Sequence, residues 1–507
     1  MFKTLLTAAG LALSMAAGVL GRANVVGYYP NWVDMPSVTL SKYTHVNFAF
    51  AIPQADGSLA YDNQSAMPAL VTQLHSAGTK AIISIGGWTG SNRFSTILKN
   101  TTTRSKFLSS IITYVTQYNL DGVDIDWEYP GREGDTCNVF DPSNDTKNFL
   151  KFLQDLRTQL DTTFGTRNKL LTLAVRVEPF DDANGPVSDV SAFAKVVDFI
   201  NLMTYDIAGT WNPTTSPNSP LQYAPGQGPQ FSVASAIDSW NGAGWPTGQM
   251  NLGIPFYGYA MTALSDMSKN PSNMYAAISS TAPQGDQEDA PWADPCAGGP
   301  AVYSGQWQWK NLRRQGVLTS TNTAASPWIR TWDSATSTPW LFNPNTKIFI
   351  TYDDPQSVQL KVNYAASRGL AGTMLWSMEM DYNDELLNVL QSFPSGNTTT
   401  TSTTAGPSST VVTKTNTSSA PVTSTTITST SKTSVTSTAT ATSTAPGTGP
   451  VAGGACSSTG AYQCADTTGK NAAYFLCLYG KWIAQSCGSG TACFQAGSSV
   501  SCGWPSS

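Results

Sequence analysis

The stretch Leu120-Asp121-Gly122-Val123-Asp124-Ile125-Asp126-Trp127-Glu128-Tyr129-Pro130 places four carboxylates within eight residues. Asp124, Asp126 and Glu128 occupy every second position, with Val123, Ile125 and Trp127 between them. On a β-strand, side chains alternate between faces. The three acids then share one side and the apolar residues pack on the other. Ionised carboxylates on a buried face are costly, so such a strand is built for chemistry, for a calcium ion, or to lie at a solvated edge. The remainder of the chain decides between these.

Outward from this stretch, short apolar runs alternate with helix-like segments. Val25 to Tyr29, Thr44 to Phe50 and Lys80 to Trp88 precede it; Leu170 to Val177, Val197 to Asp206, Asn251 to Gly258 and Gly369 to Ser377 follow. Helical spacing of apolar residues marks Ala66 to Ser76, Arg104 to Tyr118 and Asp145 to Leu160, the last with Phe149, Phe152, Leu153 and Leu156 on one side. Further helical segments are expected near Val190, over Phe231 to Trp240, Pro355 to Ser367 and Asp384 to Gln391. Eight strand–helix units in succession predict an α/β fold, a closed (β/α)8 TIM barrel over residues 24–393. A doubly wound open sheet is the alternative, and it fits less well because no Gly-rich phosphate loop is present. Between the seventh and eighth strands the spacing breaks. About a hundred residues, roughly 260–354, contain six tryptophans. That is too long for a structureless loop and predicts an inserted α+β subdomain.

The two ends differ from the middle. Lys3 and the small, apolar run from Leu5 to Leu20, followed by Gly21-Arg22-Ala23, predict an export signal over residues 1–23. A membrane anchor is the weaker reading, because the run is short and rich in Gly, Ser and Ala. Residues 394–455 collapse to Thr, Ser, Pro, Ala and Gly, a composition that cannot bury a core and suits an O-glycosylated stalk. Six of the eight cysteines fall within residues 456–507, which predicts a small disulfide-stapled module. The other two, Cys137 and Cys296, are candidates to pair with each other. Asn63, Asn100, Asn144, Asn397 and Asn416 begin N-glycosylation sequons, surface sites if the chain is exported.

Composition narrows the function. Charged residues make up only 12% of the chain while there are 15 Trp, a balance suited to stacking on neutral sugars. A net charge of −5 argues against a nucleic-acid partner, which calls for basic patches. With only His45 and His75 present, both in apolar surroundings, neither a His-based zinc site nor a Ser-His-Asp triad is supported. No metal and no cofactor is expected. Barrel enzymes gather their catalytic residues at the C-terminal ends of the strands. There the first strand offers Tyr28, the third Ser84, Gly86, Gly87 and Trp88, and the fourth Asp124, Asp126, Glu128 and Tyr129. The sixth offers Met203, Tyr205 and Asp206, and the eighth Trp376. Acids, phenols and indoles converging without a phosphate cradle suit cleavage of a glycosidic bond.

At this point the motifs carry a resemblance. Asp121-Gly122-x-Asp124-x-Asp126-x-Glu128 resembles the D-G-x-D-x-D-x-E signature of family-18 glycoside hydrolases, the retaining chitinases. Ser84-Ile85-Gly86-Gly87 resembles that family's S-x-G-G, and Met203-Thr204-Tyr205-Asp206 with Gly209 and Trp211 its M-x-Y-D-x-x-G-x-W. Arg176-Val177-Glu178-Pro179-Phe180 departs from the small-residue pattern expected after the fifth strand and puts the glycone side of the cleft in question. The last fifty or so residues, through Cys464, Tyr474-Phe475-Leu476-Cys477, Lys481-Trp482, Cys487 and Cys493, are similar to family-19 carbohydrate-binding modules. A generic disulfide knot is the alternative there.

The resemblance implies a mechanism in which the substrate assists, an exception to the two-carboxylate scheme. Glu128 would protonate the glycosidic oxygen while the substrate's 2-acetamido oxygen attacks the anomeric carbon. Asp126 would orient the acetamido N–H and Tyr205 its oxygen. Asp124 would share a proton with Asp126, and Asp206 would contact the sugar or tune Glu128. Trp376 would form the floor, with Trp88 and Trp211 on the product side. Tyr28, Phe50, Gly87, Tyr129, Met203 and Tyr257 complete the expected substrate-binding set, although Tyr28 and Tyr129 also read as packing. Tyr474 and Trp482 would bind chitin in the module. The implied partners are chitin and chito-oligosaccharides, with no membrane partner, a monomeric state and a secreted location. Rival readings are an endo-β-N-acetylglucosaminidase acting on N-glycans, a chitinase-like lectin that binds without cutting, and a wall-remodelling protein.

Overall fold

The computed structural model describes residues 22–394 and, beyond them, position 455 and segments 462–465, 473–478, 481–486, 492–496 and 499–503. The expected export signal lies almost wholly outside the described residues, and so does the expected stalk. Two compact units divide at Thr401.

In the first unit eight strands run parallel: β1 (Asn24–Pro30), β2 (His45–Pro53), β3 (Lys80–Gly86), β4 (Gly122–Asp126), β5 (Leu170–Val175), β6 (Phe199–Leu202), β7 (Met250–Pro255) and β8 (Gly372–Trp376). Each pairs with its neighbour in chain order, and β8 pairs back onto β1 in the register Asn24↔Gly372. The sheet is therefore a closed barrel, and no open doubly wound sheet forms. Helices α1 (Met67–Ser76), α2 (Thr101–Gln117), α3 (Asp145–Phe164), α4 (Val233–Gly242), α5 (Pro355–Ser367) and α6 (Glu385–Leu390) accompany the strands. The segment near Val190 makes only a single turn, Ser191–Ala194.

The alternation on β4 works as its sequence suggests. Val123, Ile125 and Trp127 are buried in the main apolar core with Phe107 of α2 and Phe149 of α3. The Trp127 ring stacks on Phe94 at 5.2 Å and meets Phe149 edge-on at 5.2 Å. Each such side chain contributes about 1.5–3 kcal/mol when buried. A one-residue slip would drive the carboxylates into that core, so the register is fixed strongly. Asp124 points the other way, into the barrel.

The strand ends fall earlier than the sequence suggests. β4 stops at Asp126 and β6 at Leu202. Glu128, Met203, Tyr205 and Asp206 therefore sit on the loops above the barrel, and strand alternation is not what aims them. Asp206 has a positive φ of 55°.

Between β7 and β8 lies a five-stranded antiparallel sheet made of Tyr257–Thr262, Gln306–Gln308, Ile329–Asp333, Thr338–Asn343 and Ile348–Thr351. It has a core of its own, with Met261, Met267, Met274, Trp340, Phe342 and Phe349. Tyr257 is its first residue. Cys137 and Cys296 form a disulfide between the loop after β4 and this insertion.

The second unit contains a three-stranded antiparallel sheet (Tyr462–Cys464, Ala473–Leu478, Lys481–Ser486) and a hairpin (Ala492–Ala496, Ser499–Gly503). The buried Cys464–Cys493 disulfide is present. Tyr474 packs against those two cysteines. Tyr474 pairs with Gln485, and Trp482 pairs with Cys477. Positions 474 and 477 lie on opposite faces of their strand, so Tyr474 and Trp482 do too. The two rings cannot share one flat sugar-binding face.

Candidate active site

A cleft of about 500 Å³ opens over the C-terminal end of the barrel. All eight strands supply its lining, within their C-terminal halves or on the loop just beyond. It holds Tyr28, Phe50, Trp88, Asp126, Glu128, Met203, Tyr205, Asp206, Tyr257 and Trp376. Ten of the expected residues are thus brought together. Asn31, Trp32, Ile52, Asp62, Gly86, Thr89 and Ala174 complete the lining.

Asp124 lies beneath the cleft floor, fully buried. Its Oδ2 accepts from the hydroxyls of Tyr28 and Ser84, each at 2.8 Å, and its Oδ1 from Thr172 at 2.6 Å. Burial raises its carboxyl above the ordinary range, and those hydroxyls pull it back down. Asp126, next on the same face, has a buried Oδ1 without a hydrogen-bond partner. Burial and the charges of Glu128 and Asp124 hold its carboxyl well above the usual carboxylate range. Three hydroxyls thus occupy Asp124, while its charge bears on Asp126 beside it.

Glu128 is half-buried at the cleft wall. Burial raises its carboxyl to about 7; the neighbouring Tyr129 hydroxyl opposes the shift, and the charges of Asp206 and Asp135 add to it. Tyr129 itself is half-buried and does not line the cleft. Asp206 faces the open cleft, and its Oδ1 accepts from Tyr257 at 2.7 Å and Tyr259 at 2.9 Å. Its backbone N–H donates to Asn218 Oδ1 at 2.9 Å, a contact that holds the left-handed conformation. The protein packed around Asp206 raises its carboxyl, and the two tyrosines lower it. The Tyr205 hydroxyl lies 3.7 Å from Met374 Sδ.

The aromatic wall is continuous. Phe50 stacks on Trp376 at 5.6 Å and 13°, and Tyr28 lies 5.7 Å from the same indole. Trp32 stands 6.3 Å from both Phe50 and Trp376 and is 64% exposed. Gly87 serves this wall from behind: its φ is +79°, and a Cβ there would lie 2.7 Å from the Phe50 ring. Trp88 is exposed at the mouth. Trp211 is exposed as well but does not line the cleft; it rests against Tyr259 at 5.3 Å. After β5, Arg176 is ion-paired with Glu178 and, at 3.3 Å, with Asp181, so the departure in sequence there is a charged cluster.

Sequence reading missed Trp32, Tyr259, Ser91, Asn138 and Asn218. The Tyr257-x-Tyr259 spacing carried a signal, since residues two apart on a strand share a face. The others had none. Asp121, the first acid of the motif, braces the barrel away from the cleft: its Oδ2 accepts from Ala81 N–H at 2.8 Å and pairs with His75 at 2.8 Å. His45 is buried, and burial lowers its ring to about 3.

A closed barrel with carboxylates and aromatic rings converging at its C-terminal end defines a glycoside-hydrolase architecture. The family model "Glycosyl hydrolases family 18" matches residues 24–381, and "Carbohydrate binding domain (family 19)" matches residues 433–498. The chain belongs to glycosyl hydrolase family 18. The second match begins within the stretch read as stalk. A "chitinase-like effector" of Moniliophthora roreri is 35% identical over 396 residues, 75% of this chain and 95% of that protein. "Chitinase 1" of Aphanocladium album is 28% identical over 412 residues, 73% of this chain and 85% of its own. The crystal structure of a chitinase from Rhizomucor miehei is similar at 36% identity with a TM-score of 0.68, over 73% of this chain and 99% of that one.

Proposed function

We propose that the chain is a secreted chitinase that hydrolyses β-1,4-linked N-acetylglucosamine polymers with retention of configuration, the substrate supplying its own nucleophile. The observation that carries this is Glu128: a carboxyl raised to about 7, set above two further acids in an aromatic cleft. It holds a proton near neutral pH and can donate it to the glycosidic oxygen. Asp126 is a poor nucleophile while its carboxyl is held high by its neighbours. It suits hydrogen bonding to an acetamido N–H and offsetting the positive charge that develops. Tyr205 meets the acetamido oxygen, and Trp376 with Tyr28 and Phe50 supports the ring. Burial keeps Glu128 protonated, and the charge of Asp206, held by Tyr257 and Tyr259, adds to that effect. Glu128 then accepts a proton from water. The C-terminal module binds chitin through Trp482, because Tyr474 is engaged against the disulfide. The export-signal composition and the paired cysteines support secretion.

A second reading is binding without cleavage, which the intact acid at Glu128 disfavours. One experiment separates the readings: incubation with chitin hexamer and with a high-mannose glycopeptide, followed by early-time proton NMR. Hexamer cleavage giving a β-anomer first product supports the proposal. Binding without turnover, cleavage of the glycopeptide alone, or an α-anomer product each rejects it.

A further inference from the structure

Glu128 is gripped through its backbone from two sides. Its N–H donates to Ser91 Oγ at 2.8 Å, and its carbonyl accepts from Asn138 Nδ2 at 2.8 Å. The same Nδ2 donates to the Trp88 carbonyl at 3.1 Å. One side-chain amide thus ties the acid to the indole at the cleft mouth. Asn138 is 7% exposed, and its Oδ1 is buried without a partner. That fixes the orientation of the amide, since the flipped form would press Oδ1 against two carbonyl oxygens. Gly134 shows how closely the loop is seated: a Cβ there would lie 2.0 Å from the Glu128 carbonyl oxygen. The following Asp135 is buried, and its charge bears on Glu128. Beside Asn138, Cys137 is bonded to Cys296 of the insertion, 159 residues away in sequence.

We infer that residues 131–144 form a clamp on the acid, in which Asn138, tethered through the Cys137–Cys296 disulfide, is the positioning residue for Glu128 and Trp88. Asn138 touches no reacting atom. It sets the direction in which the Glu128 side chain leaves the backbone, and the disulfide makes that direction depend on the insertion. A general acid works only within hydrogen-bond reach of its target, and a misplacement of about 1 Å costs on the order of a hundredfold in rate. The charged and titratable groups facing the Glu128 carboxyl are Asp126 from β4, Tyr129 beside it, Asp135 from the clamp, and Tyr205 and Asp206 from the loop after β6. Releasing the clamp moves Asp135 away and admits water, and both changes lower the carboxyl's affinity for its proton.

The inference rests on the proposed function, and its test separates the two. Asn138→Ala and Asn138→Asp are made in the full chain and assayed on chitin hexamer beside the wild type. Asn138→Ala is expected to lose about ten- to a hundredfold in kcat, with KM changed less than about threefold. The basic limb of its kcat/KM profile moves to lower pH. Asn138→Asp keeps the shape but cannot donate when ionised, so it regains turnover only as pH falls. A lowered melting temperature with wild-type kcat and an unmoved limb overturns the inference, leaving Asn138 a structural residue only. Should neither variant fold, Cys137→Ser/Cys296→Ser decides on the same readouts: an acidward limb supports the clamp and a wild-type profile rejects it. A wild type that leaves the hexamer intact rejects the functional reading and the inference with it. A wild type matched by its variants rejects the inference alone.

Discussion

Glu128 holds its proton because of where it sits, and the same placement burdens the fold. Its carboxyl rises from the ordinary 4.5 to about 7. Between those values the folded chain keeps a proton that the unfolded chain has released. Stability is therefore fully present below about pH 4.5, falls as pH rises through the window, and levels off above about 7. Glu128→Gln removes the ionisation. We expect it to abolish hexamer hydrolysis while stabilising the fold at about pH 8 by about 1–3 kcal/mol, with no difference from wild type below about pH 4. Urea unfolding at the two pH values checks this; equal stability at pH 8 would mean that the fold does not disfavour the ionised carboxylate. The residue types at this centre were legible in the sequence, because period-two alternation and four acids in eight residues leave few structures. Their partners were not. The hydroxyls that occupy Asp124 come from positions 28, 84 and 172. Only barrel closure brings them together, across spacings that no local pattern spans.

At the scale of elements, the strands were readable and their ends were not. Apolar runs mark all eight, yet β4 stops before Glu128, and β6 before Met203, Tyr205 and Asp206. Loop geometry then aims Glu128 and Asp206 by contacts with Asn138 and Asn218, which no local pattern announces. The loop after β1 does the same for Trp32, which prolongs the wall made by Phe50 and Trp376. An exposed indole beside two stacked rings offers a further sugar a flat apolar surface. Trp32→Ala should raise KM for the hexamer about two- to tenfold, the range of one aromatic contact. The kcat should stay within about twofold, because no reacting group moves. Kinetics on a ladder of oligomers checks it: the effect must shrink as the chain shortens, and an equal loss at every length would place Trp32 at the reacting sugar instead.

At the scale of the whole molecule, the chain couples two compact units with different tasks. The barrel carries the acid and the cleft. The second unit is stapled by the Cys464–Cys493 disulfide and presents Trp482 on the face opposite Tyr474. A soluble oligomer diffuses to the cleft unaided, so for it the second unit adds nothing. An insoluble polymer cannot, and a tethered binding unit raises the local concentration of chain ends and segments around the cleft without a new contact there. Trp482→Ala in the full chain should therefore leave kcat/KM on the hexamer within about twofold of wild type. It should lower both binding to chitin powder and initial turnover of it several-fold. Tyr474→Ala tests the assignment from the other side. That ring packs on the disulfide, so its loss should lower the stability of the second unit before it touches chitin affinity. Pull-down on chitin powder at a temperature where both variants stay folded distinguishes them. If Tyr474→Ala loses chitin and Trp482→Ala does not, the binding face is the one that carries the tyrosine.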